Sequence, residues 1–147
     1  MSLTPNALWL IFAMLAQGAL ALALLWYLGF IRIPLVLGGK VRMKDIALSR
    51  EPWPEREKQV SNAFDNQFQL PVLFYLGGAV AIWFGPTLFE VALAMLFVVS
   101  RYVHAAIHIT SNHVMRRFQA YTAGLVLLCV LWADLMVRLL LAAVTPP

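Results

Sequence analysis

Charge is what this sequence has least of. Of its 147 residues only 12% are Asp, Glu, Lys or Arg, whereas 62% are hydrophobic and the mean hydropathy is +0.79. Soluble domains carry about 25% charged and roughly 45–50% apolar residues, so this balance excludes an ordinary water-soluble globule. Cysteine is almost absent. The single Cys129 excludes an internal disulfide and a cysteine-based zinc site, and its apolar surroundings suit packing within a helix core. Charge is also absent from whole stretches: residues 1–31 and 66–89 have none, while 12 of the 18 charges fall between Arg32 and Asp65. Uncharged apolar stretches of about 18 residues or more are membrane-span candidates.

Four such spans account for most of the chain, at about 7–30, 59–84, 87–110 and 118–144. This predicts an all-α, integral membrane four-helix bundle forming a single domain, 1–147, with one polar loop at 32–58. The first span lacks a basic leader and a small-residue cleavage site, so it is expected to stay in the mature protein. Within the loop, residues 38–58 hold paired glycines and two prolines and end in a helix-start signal, Pro54 followed by Glu55 and Glu57. In the second span the purely apolar part, Leu70 to Phe84, is about 22 Å long and too short to cross alone. Its helix must start earlier, drawing Asn62, Asp65, Asn66, Gln67 and Gln69 to the membrane interface. Gly85 and Pro86 form a minimal turn, so the third span should return antiparallel against the second.

The net charge of +4 is not a nucleic-acid signal, because the basic residues flank the spans. Seven Lys or Arg lie in the long loop and two more, Arg116 and Arg117, before the last span, against none in the N-terminal segment, the Gly85-Pro86 turn or the tail after Leu141. That asymmetry predicts cytoplasmic loops, both termini on the other side, and no nucleic-acid partner.

Polar residues inside the spans are costly and should face protein. On the third span Glu90, Ala94, Phe97, Arg101, His104, His108 and Asn112 follow at steps of three and four, on one helix face. On the second, Asn62, Asn66 and Gln69 form a similar stripe, and Arg117 and Tyr121 lie one turn apart at the start of the fourth. These stripes meet at the cytoplasmic end in a cleft rich in arginine, histidine and carboxamide and poor in carboxylate, a composition that suits an anion. The bland alternative is that the same residues fasten helices by hydrogen bonds. Glu90, Asp134 and Arg138 gather at the opposite end as a structural ion network. His104, His108 and His113 could ligate a metal, but Arg101 shares their face and would repel a divalent cation, so no metal site is expected.

The stripe Asn62-x-x-x-Asn66-x-x-Gln69, the segment SRYVHAAIHITSNHVMRR and the pair Arg117-x-x-x-Tyr121 resemble the membrane-associated proteins in eicosanoid and glutathione metabolism, the MAPEG family, in a bacterial-type branch. The resemblance covers essentially the whole chain. It implies a homotrimer with clefts between neighbouring subunits, open to the cytoplasm and to lipid, placed in the inner membrane if the source is bacterial. It also implies glutathione as cofactor, bound by Asn66, Arg101, His104, Arg117 and Tyr121, with His108 where a tyrosine is usual and Asn62 and Gln69 completing the cleft. Asn62 stands where glutathione-using members carry arginine, and Gln69 where they carry glutamate. The implied activity is a glutathione-dependent transferase or peroxidase acting on lipophilic electrophiles, with Arg101, Arg117 and Tyr121 catalytic. The alternative is a non-catalytic protein holding an anionic lipid or fatty acid in the same cleft. A channel or transporter is disfavoured, because the spans show no inverted repeat.

Overall fold

The structure, a computed structural model, describes residues 3–144; the outermost residues of the expected single domain, 1–2 and 145–147, lie outside them. Among the described residues it is entirely helical: α1 (Pro5–Leu37), α2 (Glu55–Asp65), α3 (Leu70–Phe84), α4 (Leu88–Ile109) and α5 (Val114–Val144), with short 3-10 turns at Met43–Asp45 and Asn66–Phe68. Taking α2 and α3 as one interrupted span, the four long helical segments are each long and apolar enough to cross a membrane. The protein is thus an integral, multi-pass membrane four-helix bundle.

Local chemistry sets the helix limits. Thr4 caps α1 by accepting a hydrogen bond from the Ala7 amide at 3.3 Å, and Pro5 occupies the first turn, where no amide partner is needed. The helix continues seven residues beyond the expected end at 30, through Pro34, and at about 1.5 Å per residue its 33 residues overshoot a hydrocarbon core of about 30 Å. Its last turn therefore carries Arg32 out to the loop, where Arg32 pairs with buried Glu57 at 2.6 Å and lies 5.1 Å from the ring centre of Trp53.

The second span departs most from expectation. It is not one helix: α2 ends at Asp65, a 3-10 turn follows, and Pro71 enters the first turn of α3. Side-chain amides of Asn66 and Gln67 donate to the carbonyls of Asn62 and Ala63 at 2.8 and 2.9 Å, adding side-chain hydrogen bonds to the last turn of α2. The break rotates the register. Asn62 and Asn66 stay one turn apart, but Gln69 is exposed, and Gln67 takes the buried place instead, accepting from the Gln17 side chain of α1 at 2.9 Å. The third span also packs differently from the simple hairpin. Helix α4 lies mainly on α5 and α1 and meets the second span chiefly through α2, while α3 packs on α5 and α1. Phe74 of α3 nevertheless stacks on Phe97 of α4, ring centres 4.6 Å apart, at the centre of the core.

At the turn end of the bundle, Gly85 adopts φ +77°, a conformation that glycine enters without steric cost. Thr87 and Glu90 form a reciprocal capping box for α4. Arg138 of α5 then clamps the turn, holding Glu90 at 2.6 Å and donating to the carbonyls of Phe84 and Gly85. Asp134 stands outside this ion pair, with a buried Oδ2 that has no hydrogen-bond partner. Cys129, expected in the core, is exposed beside the apolar side chains of Leu73, Leu125 and Trp132. The outward faces of α1 and α5 expose Trp9, Phe12, Leu22, Trp26, Val137 and Leu140, a surface suited to lipid or to another subunit.

Candidate functional site

The stripe on α4 is buried along its full helical length. Glu90, Ala94, Phe97, Arg101, His104 and His108 are each at most 3% exposed. Asn112 lies just past the helix, in a left-handed turn conformation with φ 50°. Arg101 has a close approach of helices to thank for its place. Glycine at position 124 lets α5 come so near α4 that a Cβ there would stand 2.7 Å from the Ser100 hydroxyl and 3.8 Å from Arg101 Cδ. The guanidinium is left with Nη2 donating to the Asn66 carbonyl at 3.2 Å, while Nε and Nη1 are buried without partners.

No acid answers this charge. Asp65, which could have neutralised either cleft arginine, turns instead to Arg50 in the loop at 2.6 Å. Among the described residues neither Arg101 nor Arg117 makes an ion pair. Arg117 Nη1 donates to the Asn112 side-chain oxygen at 2.5 Å, and its buried Nε has no partner.

Around these cations lie two cavities that share Arg117. The inner one, about 240 Å³, is walled by Asn66, His104, Arg117, Phe118 and Tyr121. The outer one, about 310 Å³, is reached one helical turn further toward the loop, where Asn62 and His108 repeat the carboxamide and imidazole of the inner wall. Glu55, Lys58, Gln59 and Asn112 complete it. His104 packs edge-on to His108 and tilts against Tyr121, with ring centres 5.8 and 5.9 Å apart. The His104 Nδ1 and both ring nitrogens of His108 are buried without hydrogen-bond partners.

Of the residues singled out from sequence, Asn62, Asn66, His104, His108, Arg117 and Tyr121 therefore line cavities. Arg101 lies behind the wall, touching it through Asn66 and the Tyr121 ring. Gln69 lines neither cavity, because the 3-10 turn carries it off the Asn62-Asn66 face. Glu55, Lys58 and Gln59 were missed. Glu55, Gln59, Asn62 and Asn66 follow at steps of four, three and four, so the polar face of α2 could have been extended backward into the helix-start signal. No group of three His, Cys, Asp or Glu side chains converges as a metal site among the described residues.

A cationic centre of this kind, walled by polar side chains and with no acid in ion-pair contact among the described residues, can bind carboxylates, and its arginines can do so in a bidentate manner. The sequence model of the MAPEG family matches residues 10–137. No curated protein and no solved structure matches. The matched region takes in most of the chain and every residue of both cavities, and on that ground this four-helix membrane protein belongs to the MAPEG family, the membrane-associated proteins of eicosanoid and glutathione metabolism.

Proposed function

We propose that the cleft binds glutathione and activates its thiol for reaction with a lipophilic electrophile, in the manner of a glutathione transferase or peroxidase. One observation carries the reading: the two cleft arginines hold three buried, unpartnered N–H groups and no ion-paired acid. Burying a cation without a counter-charge is costly, and a bound anion removes that cost. Glutathione is such an anion, with two carboxylates.

When bound, glutathione supplies a thiol whose thiolate attacks electrophiles. The residues of this chain divide the remaining work. Arg117, common to both cavities, holds a carboxylate. Asn62 and Asn66 offer carboxamide hydrogen bonds from α2, while His104 and His108 offer ring nitrogens from α4. Tyr121, whose hydroxyl makes no hydrogen bond among the described residues, donates to the sulfur. Arg101 supports it from behind, and its positive charge lowers the thiol pKa from about 8.5. The apolar surface beyond the inner cavity admits a lipid-soluble partner.

The assembly in this reading is a homotrimer whose clefts open between neighbouring subunits, with the loop end in the cytoplasm as the nine-to-zero bias of basic residues favours. A second reading has a specific observation behind it. Asn62 is uncharged and Gln69 is turned out of the cleft, so contacts to glutathione are fewer, and an anionic lipid or fatty acid could fill the site without chemistry.

The separating experiment is conjugation of glutathione to an activated aryl chloride by the detergent-purified protein. A rate above the uncatalysed reaction supports the enzyme. No conjugation, together with a co-purified anionic lipid found by native mass spectrometry, supports the second reading and overturns the first.

A further inference from the structure

Between the end of α1 and the loop that leads to α2 lie two adjoining cavities, and they share no residue with the cleft. One, about 360 Å³, is walled by Arg32, Ile33, Val36, Leu37, Ile46 and Trp53, and is apolar apart from the arginine. The other, about 380 Å³, shares Arg32, Ile46 and Trp53 with it and adds Ser49 and Arg50. Apolar space beside basic space is the complement of an amphiphile with an anionic head.

The surroundings say which amphiphile. Trp26, Phe30, Ile33 and Leu37 follow at steps of four, three and four on α1 and are between 59% and 82% exposed, so the outward stripe of the span runs into the wall of the apolar cavity. Because α1 outlasts the hydrocarbon core, its last turns and the loop against them stand at the depth of lipid headgroups. Charge agrees with this placement. Asp45, Glu51, Glu57 and Asp65 each pair with a different basic side chain, while Glu55 lines the cleft instead. Lys40 and Lys44 make no ion pair among the described residues, and the loop keeps their charge in excess. Arg32 and Arg50 are ion-paired, yet Arg32 Nη1 and Arg50 Nε and Nη2 make no hydrogen bond among the described residues and remain as donors.

We propose that these two cavities form a binding site for an anionic phospholipid of the adjoining leaflet. Its acyl chain lies along Ile33 and Leu37 in the apolar cavity, and Arg50 and Ser49 hold its phosphodiester through charge-assisted and hydroxyl hydrogen bonds. Lys40 and Lys44 add attraction from the rim. A free phosphate ion would use the basic cavity alone and leave the apolar one unfilled. The site is independent of the glutathione reading and of the lipid alternative for the cleft.

The test is native mass spectrometry of the detergent-purified protein mixed with equal amounts of phosphatidylglycerol and phosphatidylcholine of matched acyl chains. The wild type is expected to retain phosphatidylglycerol over phosphatidylcholine by about fivefold or more, the effect of one or more cations close to the headgroup. Arg50 and Asp65 are exposed, so losing their pair costs the fold little. Arg50→Gln should remove most of the preference and Arg50→Lys should keep part of it. Ile46→Trp, filling the wall common to both cavities, should lower retention of phosphatidylglycerol. No preference in the wild type, or one unchanged in both Arg50→Gln and Ile46→Trp, overturns the site. A preference lost in Arg117→Ala but kept in Arg50→Gln puts the lipid in the cleft, and displacement of the lipid by glycerol 3-phosphate makes the ligand a soluble phosphate; either result overturns it as well.

Discussion

The guanidinium carbon of Arg101 lies 5.5 Å from the centre of the Tyr121 ring, and among the described residues no carboxylate pairs with it. A buried cation with two orphan N–H groups weakens a fold that a well-packed apolar side chain of similar volume would strengthen. Arg101→Met is therefore expected to raise the thermal unfolding temperature in detergent, by the equivalent of about 1–4 kcal/mol, while weakening ligand binding. Differential scanning fluorimetry beside a binding titration checks both halves. A marked loss of stability would show that the cation serves the fold.

Tyr121 is held by its ring contacts to Arg101 and His104, whereas its hydroxyl makes no hydrogen bond among the described residues. Tyr121→Phe keeps those contacts and removes only the donor. Turnover of an aryl chloride should fall by about tenfold or more, consistent with the loss of one hydrogen bond to a charged group, and KM for glutathione should change little. An equal rise in KM with unchanged kcat would make Tyr121 a binding residue instead.

At the other end of the bundle, Arg138 is bound to a fully buried Glu90 and to two carbonyls of the α3–α4 turn. Removing one partner leaves the other charge buried and alone. Arg138→Met should cost about 3–5 kcal/mol, and the double variant with Glu90→Gln should recover a good part of it. Thermal melts of the two variants measure the difference, and identical melting temperatures would argue against coupling.

Gln17 and Gln67 join α1 to the broken second span in an otherwise apolar interior. Interhelical hydrogen bonds of this kind contribute about 0.6 kcal/mol on average and up to about 2 kcal/mol. Gln17→Leu leaves the Gln67 carbonyl oxygen without that donor, so a loss of about 1 kcal/mol is expected in unfolding measurements. Gln69→Leu, at the exposed neighbouring position, should have almost no effect on stability.

The helices and the α4 face were legible in the sequence because a few polar residues at steps of three and four stand out sharply against an apolar background. Arg101, His104 and His108 needed no knowledge of their partners to be placed together. The register of the second span was not legible in the same way. Pro71 permits either a kinked continuous helix or a break, and the break shows only in the folded backbone, as the 3-10 turn at Asn66–Phe68 and the non-helical conformation of Gln69. Gln17 is a lone polar residue in the apolar stretch at 7–30, and periodicity cannot show a partner 50 residues away. Glu55 was hidden for a different reason: an acid at a helix start is accounted for by the helix dipole alone, and only the folded chain shows that it lines a cavity with Arg117. Cys129 fell in an apolar run, yet a helix facing lipid is apolar on its exposed side as well.

Whether the cleft around Arg117 binds an anionic thiol peptide is decided by calorimetric titration of glutathione into the wild type and Arg117→Ala. The expected result is saturable binding by the wild type, weakened by about ten- to a hundredfold in the variant, the loss of one charge-assisted contact shared by both cavities. No saturation by the wild type up to millimolar glutathione, or equal binding by Arg117→Ala, would contradict it.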